Sequence, residues 1–83
     1  MTQNEIIDQA IRRSLRRPAE YVVTAEDRAQ LTRIDLWGTA ITDAGLAHLA
    51  GMPLTEISLW HTAITNAGVA RLRAMLPGCK IYC

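Results

Sequence analysis

Between Leu31 and Leu49 the spacing of apolar residues changes part-way along the segment. Ile34 and Leu36 flank Asp35, the alternation of a strand with one buried face. Beyond Ile41, the residues Ala44, Gly45, Leu46 and Leu49 follow helical spacing. Thr42 stands where an N-cap belongs, with a hydroxyl able to accept a backbone N–H. Asp43 adds a negative charge favourable at a helix N-terminus. Gly51 and Pro53 stop the helix. Each unit therefore reads strand, turn, helix, return. The whole pattern comes back 23 positions later: LTRIDLWGTAITDAGLAHL at 31–49 and LTEISLWHTAITNAGVARL at 54–72 agree at 13 of 19 positions. The apolar skeleton Leu31, Ile34, Leu36, Ile41, Leu46, Leu49 recurs as Leu54, Ile57, Leu59, Ile64, Val69, Leu72. Thr65 is the second expected N-cap, and Pro77-Gly78 ends the second helix. A shift of 24 sets Ile81 on Ile57 and Cys83 on Leu59, so a third strand is expected at 79–83 with Cys79, Ile81 and Cys83 facing in.

The first thirty residues carry no copy of this pattern. Thr2-x-x-Glu5 has the form of a capping box, and Ile6, Ile7, Ala10, Ile11 and Leu15 make one apolar stripe at helical spacing. Pro18 is expected to end that helix. Tyr21-Val22-Val23 reads as a short strand beside the first repeat strand, and Thr24-x-x-Asp27 opens a second short helix. Repeat arrays expose apolar surface at their ends, so residues 1–30 are expected to form a helical cap. The remainder divides into repeats at 31–53 and 54–77 and a terminal strand at 79–83, within a single domain.

The spacing Leu31, Ile34, Leu36, Thr39, Ile41, repeated as Leu54, Ile57, Leu59, Thr62, Ile64, resembles a leucine-rich repeat. The helical half, T-D-A-G-L-A-x-L, is similar to the helix-bearing bacterial, ribonuclease-inhibitor-like subtypes. The resemblance is strong over 31–83 and weak over 5–30. It implies an α/β solenoid with a parallel concave sheet, convex helices and a role in protein binding. Thr39 and Thr62 stand where the family usually has Asn or Cys, a position that satisfies backbone groups in the turn after the strand. The ending Leu76-Pro77-Gly78-Cys79-Lys80-Ile81 also resembles the close of bacterial leucine-rich proteins, so a natural terminus is expected.

Eighty-three residues allow one domain of marginal stability. Apolar residues make up 49% and charged residues 20%, the balance of a globular chain. A net charge of +1 carries no overall basic excess. No apolar run reaches the ~18 residues of a membrane span, and Met1-Thr2-Gln3-Asn4-Glu5 lacks the basic start and apolar core of a signal peptide. A cytoplasmic location is expected, which suits two reduced thiols. Cys79 and Cys83 are four residues apart in an expected strand, too far to bridge each other, and no second Cys/His pair completes a metal site. No cofactor is expected. Gly45 and Gly68 are read as points of close helix–sheet packing, His48 as a solvated residue, and His61, which replaces Gly38, as a lone histidine without partners.

No acid, base and nucleophile converge in any known catalytic spacing, so an enzyme is not expected. The strand residues between the core positions are more informative. They form the rows Arg33–Glu56–Lys80, Asp35–Ser58–Tyr82 and Trp37–Trp60, with neighbours about 4.8 Å apart. Alternating charge in the first row fits simple solvation of the sheet. Two readings are open for the tryptophans: packing over the rim of their own core as a stacked pair, or an exposed patch with Tyr82 of the kind that anchors protein partners. The expected function is non-catalytic protein binding through Arg33, Asp35, Trp37, Glu56, Ser58, Trp60, Lys80 and Tyr82. A second reading is a homodimer. Leu76, Cys79, Ile81 and Cys83 lack a covering helix, and the edge strand can pair with its symmetry mate. A third is anion or nucleic-acid binding by Arg12, Arg13, Arg16 and Arg17, which would share one helical face opposite the isoleucine stripe, with Glu5 and Asp8 near enough to pair with it.

Overall fold

A computed structural model describes residues 2–83; Met1, the first residue of the expected cap, lies outside them. Helix α1 runs Gln3–Leu15. The Thr2 hydroxyl accepts the Glu5 N–H at 3.1 Å, one arm of the capping box. The helix buries Ile6, Ile7, Ala10 and Ile11. It stops before Pro18 is reached. Arg16 takes a left-handed conformation (φ 56°), and its N–H turns back to the Arg12 and Arg13 carbonyls. Arg16 and Arg17 therefore lie beyond the helix, and the expected four-arginine face does not form.

Residues Tyr21–Val23 are not a strand. The Tyr21 N–H closes a turn on the Pro18 carbonyl at 3.0 Å, and Val22 projects outward, 75% exposed. β-Branched residues favour strands only where a pleated, half-buried surface awaits them, and none is available here. Helix α2, Ala25–Gln30, has a complete capping box between Thr24 and Asp27. No residue of α2 is buried, so polar bonds hold it. The Tyr21 hydroxyl donates to Asp27 at 2.8 Å, and Arg28 pairs with Asp8 of α1. That pair commits Asp8 to α2 and not to the arginines of its own helix.

Strands β1 (Arg33–Asp35), β2 (Glu56–Ser58) and β3 (Lys80–Tyr82) form a parallel sheet in that order. The register is Arg33↔Glu56↔Lys80, Ile34↔Ile57↔Ile81 and Asp35↔Ser58↔Tyr82. Main-chain bonds extend the pairing past the strands: Leu36 N–H to Ser58 C=O, Gly38 N–H to Trp60 C=O and Leu59 N–H to Tyr82 C=O, at 2.7–2.9 Å. Thr39 and Thr62 then close equivalent turns, their hydroxyls donating to the Leu36 and Leu59 carbonyls at 2.7 and 2.8 Å. One sheet face is buried through Ile34, Leu36, Ile57 and Leu59 against α1 and the return helices. The other is open.

The two return segments differ although their sequences nearly match. Asn66–Met75 is an α-helix, α3. Asp43–Leu49 is a 3₁₀ helix rather than the expected α-helix. The two capping threonines differ as well. The Thr65 hydroxyl accepts the Gly68 N–H at 3.1 Å, and its own N–H and O–H donate to Asp43. Thr42 makes no such cap; its N–H donates to Gln3 Oε1 at 2.7 Å and its hydroxyl to the same oxygen at 3.3 Å. Gln3 thus serves the first unit as Asp43 serves the second. Gly45 and Gly68 are required by this ladder and not, as expected, by helix–sheet packing. A Cβ at Gly45 would strike Ile41 and the Gln3 carboxamide, and one at Gly68 the Asp43 carboxylate.

Candidate functional site

The open sheet face is not a free plane. Helix α1 packs against β1, and its C-terminal half forms a wall beside the strands. Between them lies a groove of about 460 Å³, lined by Ala10, Arg13 and Ser14 of α1 and by Arg33, Ile34, Asp35, Glu56, Ser58 and Tyr82 of the sheet. Five of the eight residues expected to contact a partner line it. Arg13 and Ser14 were missed. Helical spacing puts Arg13 on a basic face opposite the isoleucine stripe, and only the docking of α1 on β1 brings it to the groove.

The groove carries charges of both signs. Arg33 Nε lies 2.9 Å from Glu56 Oε2, an exposed pair worth about 0.2–1 kcal/mol. Glu56 stands between Arg33 and Lys80 in the row, and its carboxylate pairs with Arg33. Asp35 Oδ1 accepts the Trp37 N–H at 2.9 Å and sets the start of the turn after β1.

At that end of the sheet Trp37 is 57% exposed, Trp60 49% and Tyr82 44%. Neither tryptophan is folded into the core. Of the two readings left open for the tryptophans, the stacked pair does not form; the ring contact of Trp37 is with His61, edge-on, with centroids 5.6 Å apart at 84°. His61 is thus not without a partner. It adopts φ 58° where Gly38 has φ 69°, a left-handed turn in both units, and there its ring reaches Trp37. The signal was present in sequence as the Gly38/His61 correspondence, but only the backbone angle shows its consequence.

The remaining expected residues lie elsewhere. Lys80 is exposed on β3, outside the groove. Leu76, Cys79 and Ile81 are half-buried against the core and Cys83 is exposed; both thiols are free. Burial, then the Glu56 charge, raises the Cys79 pKa and holds it as a thiol. The arginines are divided. Arg12 Nε donates to the Tyr21 carbonyl at 2.5 Å, and Arg17 lies over the Tyr21 ring at 5.0 Å. Arg12, Arg13 and Arg17, without Arg16, line a smaller hollow of about 200 Å³ with Gln9 and Ala19. Among the described residues no His, Cys, Asp and Glu side chains gather in a group able to hold a metal ion. No helix among them is long and apolar enough to cross a membrane.

No protein-family model, curated protein or solved structure matches the chain.

Proposed function

We propose that the chain is a short leucine-rich-repeat module that binds a protein partner, without catalysis, through the open face of its sheet. The repeat reading draws support from the 23-residue offset in sequence and from the Thr39 and Thr62 turns, which satisfy the same carbonyl in each unit. On this reading the open face is the concave one.

The observation that carries the function is the exposure of Trp37, Trp60 and Tyr82 at one end of a charged sheet face. Large aromatic rings left in water forgo burial free energy, and clustered aromatics beside arginines are what interface centres are built from. The groove supplies direction. A partner segment laid across the strands meets Arg13 and Arg33 at one wall and the aromatic rings at the turn end. A partner side chain with an apolar body and a carboxylate tip fits that sequence of contacts.

The test is a double substitution, Trp37→Ala with Trp60→Ala, beside Val22→Ala, which removes an exposed apolar side chain elsewhere. Partner capture is expected to fall at least tenfold in the tryptophan variant and stay unchanged in the valine control, with thermal midpoints close to the parent for both. A large fall in the midpoint of the tryptophan variant, or equal capture by all three proteins, would defeat the proposal.

A further inference from the structure

Equivalent positions of the two repeats are not equally buried. Ile34 and Ile57 are 2% and 0% exposed, whereas Ile81, next in the same row, is half-buried. Ile41, Leu46 and Met52 are buried, while their counterparts Ile64, Val69 and Met75 are only partly so. The opposite end is closed by α1, with Gln3 bonded to the first unit. At the β3 end, by contrast, the sheet stops at a free edge. Asn66 occupies the position of Asp43, 23 residues on. Its carboxamide is exposed, and it has no hydrogen-bond partner among the described residues.

The edge strand has an internal symmetry. Lys80 N–H and Tyr82 C=O both point at β2, bonded to Thr55 and Leu59 at 2.9 and 2.7 Å. Strand alternation therefore turns the N–H and C=O of Ile81 outward. Around Ile81 the sequence reads Cys79-Lys80-Ile81-Tyr82-Cys83, with a cysteine two residues away on each side. An antiparallel copy centred on Ile81 sets Ile81 opposite itself, where the two residues exchange both of their main-chain bonds. It sets Lys80 opposite Tyr82 of the second copy, an ammonium against an aromatic face. It also sets Cys79 opposite Cys83, with Cα atoms about 5.5 Å apart, within disulfide reach. A strand of another composition would not meet all three pairs; a second copy of this one does.

We propose that β3 is a homodimerisation edge, and that two chains pair antiparallel about Ile81 into a continuous six-stranded sheet. The contact covers the half-buried row at Leu76, Cys79 and Ile81. It uses none of Arg33, Trp37 or Trp60, shares Tyr82 with the partner-binding end, and joins the two open faces into one surface.

The experiment uses the full chain. Sedimentation velocity in reducing buffer, from micromolar to millimolar protein, is expected to show a monomer–dimer equilibrium. Diamide is then added to the dimer. Each disulfide forms as two thiols lose two hydrogens to the azo bond of diamide, giving the hydrazide. Mapping the linked peptides is expected to find Cys79 joined to Cys83 of the other chain, in two bonds per dimer. A variant, Ile81→Pro, removes the outward N–H while leaving the bonds to β2 in place, since an edge strand accepts proline where its N–H faces solvent. Its dimer dissociation constant is expected to rise more than tenfold, as two hydrogen bonds are lost per dimer. A monomer at every concentration, or a linkage confined to Cys83–Cys83, would overturn the proposal. So would an unchanged dissociation constant in an Ile81→Pro variant that retains the parent circular dichroism. Should that variant unfold, the linkage map of the unaltered chain decides alone.

Discussion

Gly38 and His61 occupy one position in two copies of a turn, and both sit in the left-handed region, at φ 69° and 58°. For glycine that conformation carries no steric penalty; for histidine it costs of order 1 kcal/mol. His61 recovers part of this through the Trp37 edge contact. Nothing lies within 4 Å of where a Gly38 Cβ would stand. Gly38→Ala therefore meets the backbone penalty without a clash, and urea unfolding should show a loss of about 1 kcal/mol with an unchanged slope. A neutral result would mean that the turn relaxes out of the left-handed region. From sequence, the correspondence of Gly38 and His61 was plain, but a histidine reads equally well with φ of either sign. That is why its ring appeared to have no partner. The same limit applied to Arg16: four arginines spaced for one face describe a face only if the helix continues, and the left-handed turn at Arg16 ends it.

At the scale of elements, what was legible followed from local chemistry. The isoleucine stripe of α1, the Thr24–Asp27 box of α2 and the alternation around Ile34 and Ile57 each depend on a few adjacent residues, and all were read at their places. What was not legible depended on a neighbour distant in sequence. Thr42 and Thr65 are identical residues in matching surroundings, yet Thr65 caps an α-helix and Thr42 does not, and the side chains they bond, Asp43 and Gln3, come from different elements. Tyr21–Val23 has strand composition but no strand to join. The Asp43 bridge has a consequence for acid stability. The Thr65 hydroxyl, and after it the Thr65 N–H, donate to its carboxylate and hold the pKa below the ordinary 3.8. A carboxyl depressed in the folded state stabilises the fold above its unfolded pKa, and that contribution is lost as pH falls through the folded value. Asp27 is depressed too, chiefly by the Thr24 N–H and then by the Tyr21 hydroxyl, and titrates in the same window. Thermal midpoints measured from about pH 5 down to about pH 2 should therefore fall in the parent. Asp43→Asn keeps an acceptor for Thr65 but cannot titrate, so its curve should be flatter, and flatter still with Asp27→Asn added. Parallel curves for the parent and the double variant would show that neither carboxylate governs the acid limb.

Across the whole molecule, the two ends are built differently. Helix α1 closes the first end and, in doing so, makes the wall of the groove; no repeat pattern encodes that docking, and Arg13 and Ser14 were missed for this reason. At the other end β3 is the edge strand of the sheet and Ile81 is half-buried. The Ile34–Ile57–Ile81 row measures how far the core extends. A chain of this size has a total stability of roughly 5–10 kcal/mol. Ile57 is fully buried in the middle of the row, so Ile57→Ala should cost about 3–4 kcal/mol, transfer and cavity combined. Ile81 is half-buried at the edge, where surrounding groups can close over a truncated side chain and water already has access. Ile81→Ala should cost about 1 kcal/mol in the monomer. Urea titrations at low protein concentration test this order, and equal costs would mean that the core does not thin toward β3. Repeating them at high concentration adds a second reading. If β3 pairs with its copy, association adds to parental stability by mass action. The apparent cost of Ile81→Ala then grows with protein concentration, while that of Ile57→Ala, which lies one strand inside the contact, stays nearly constant.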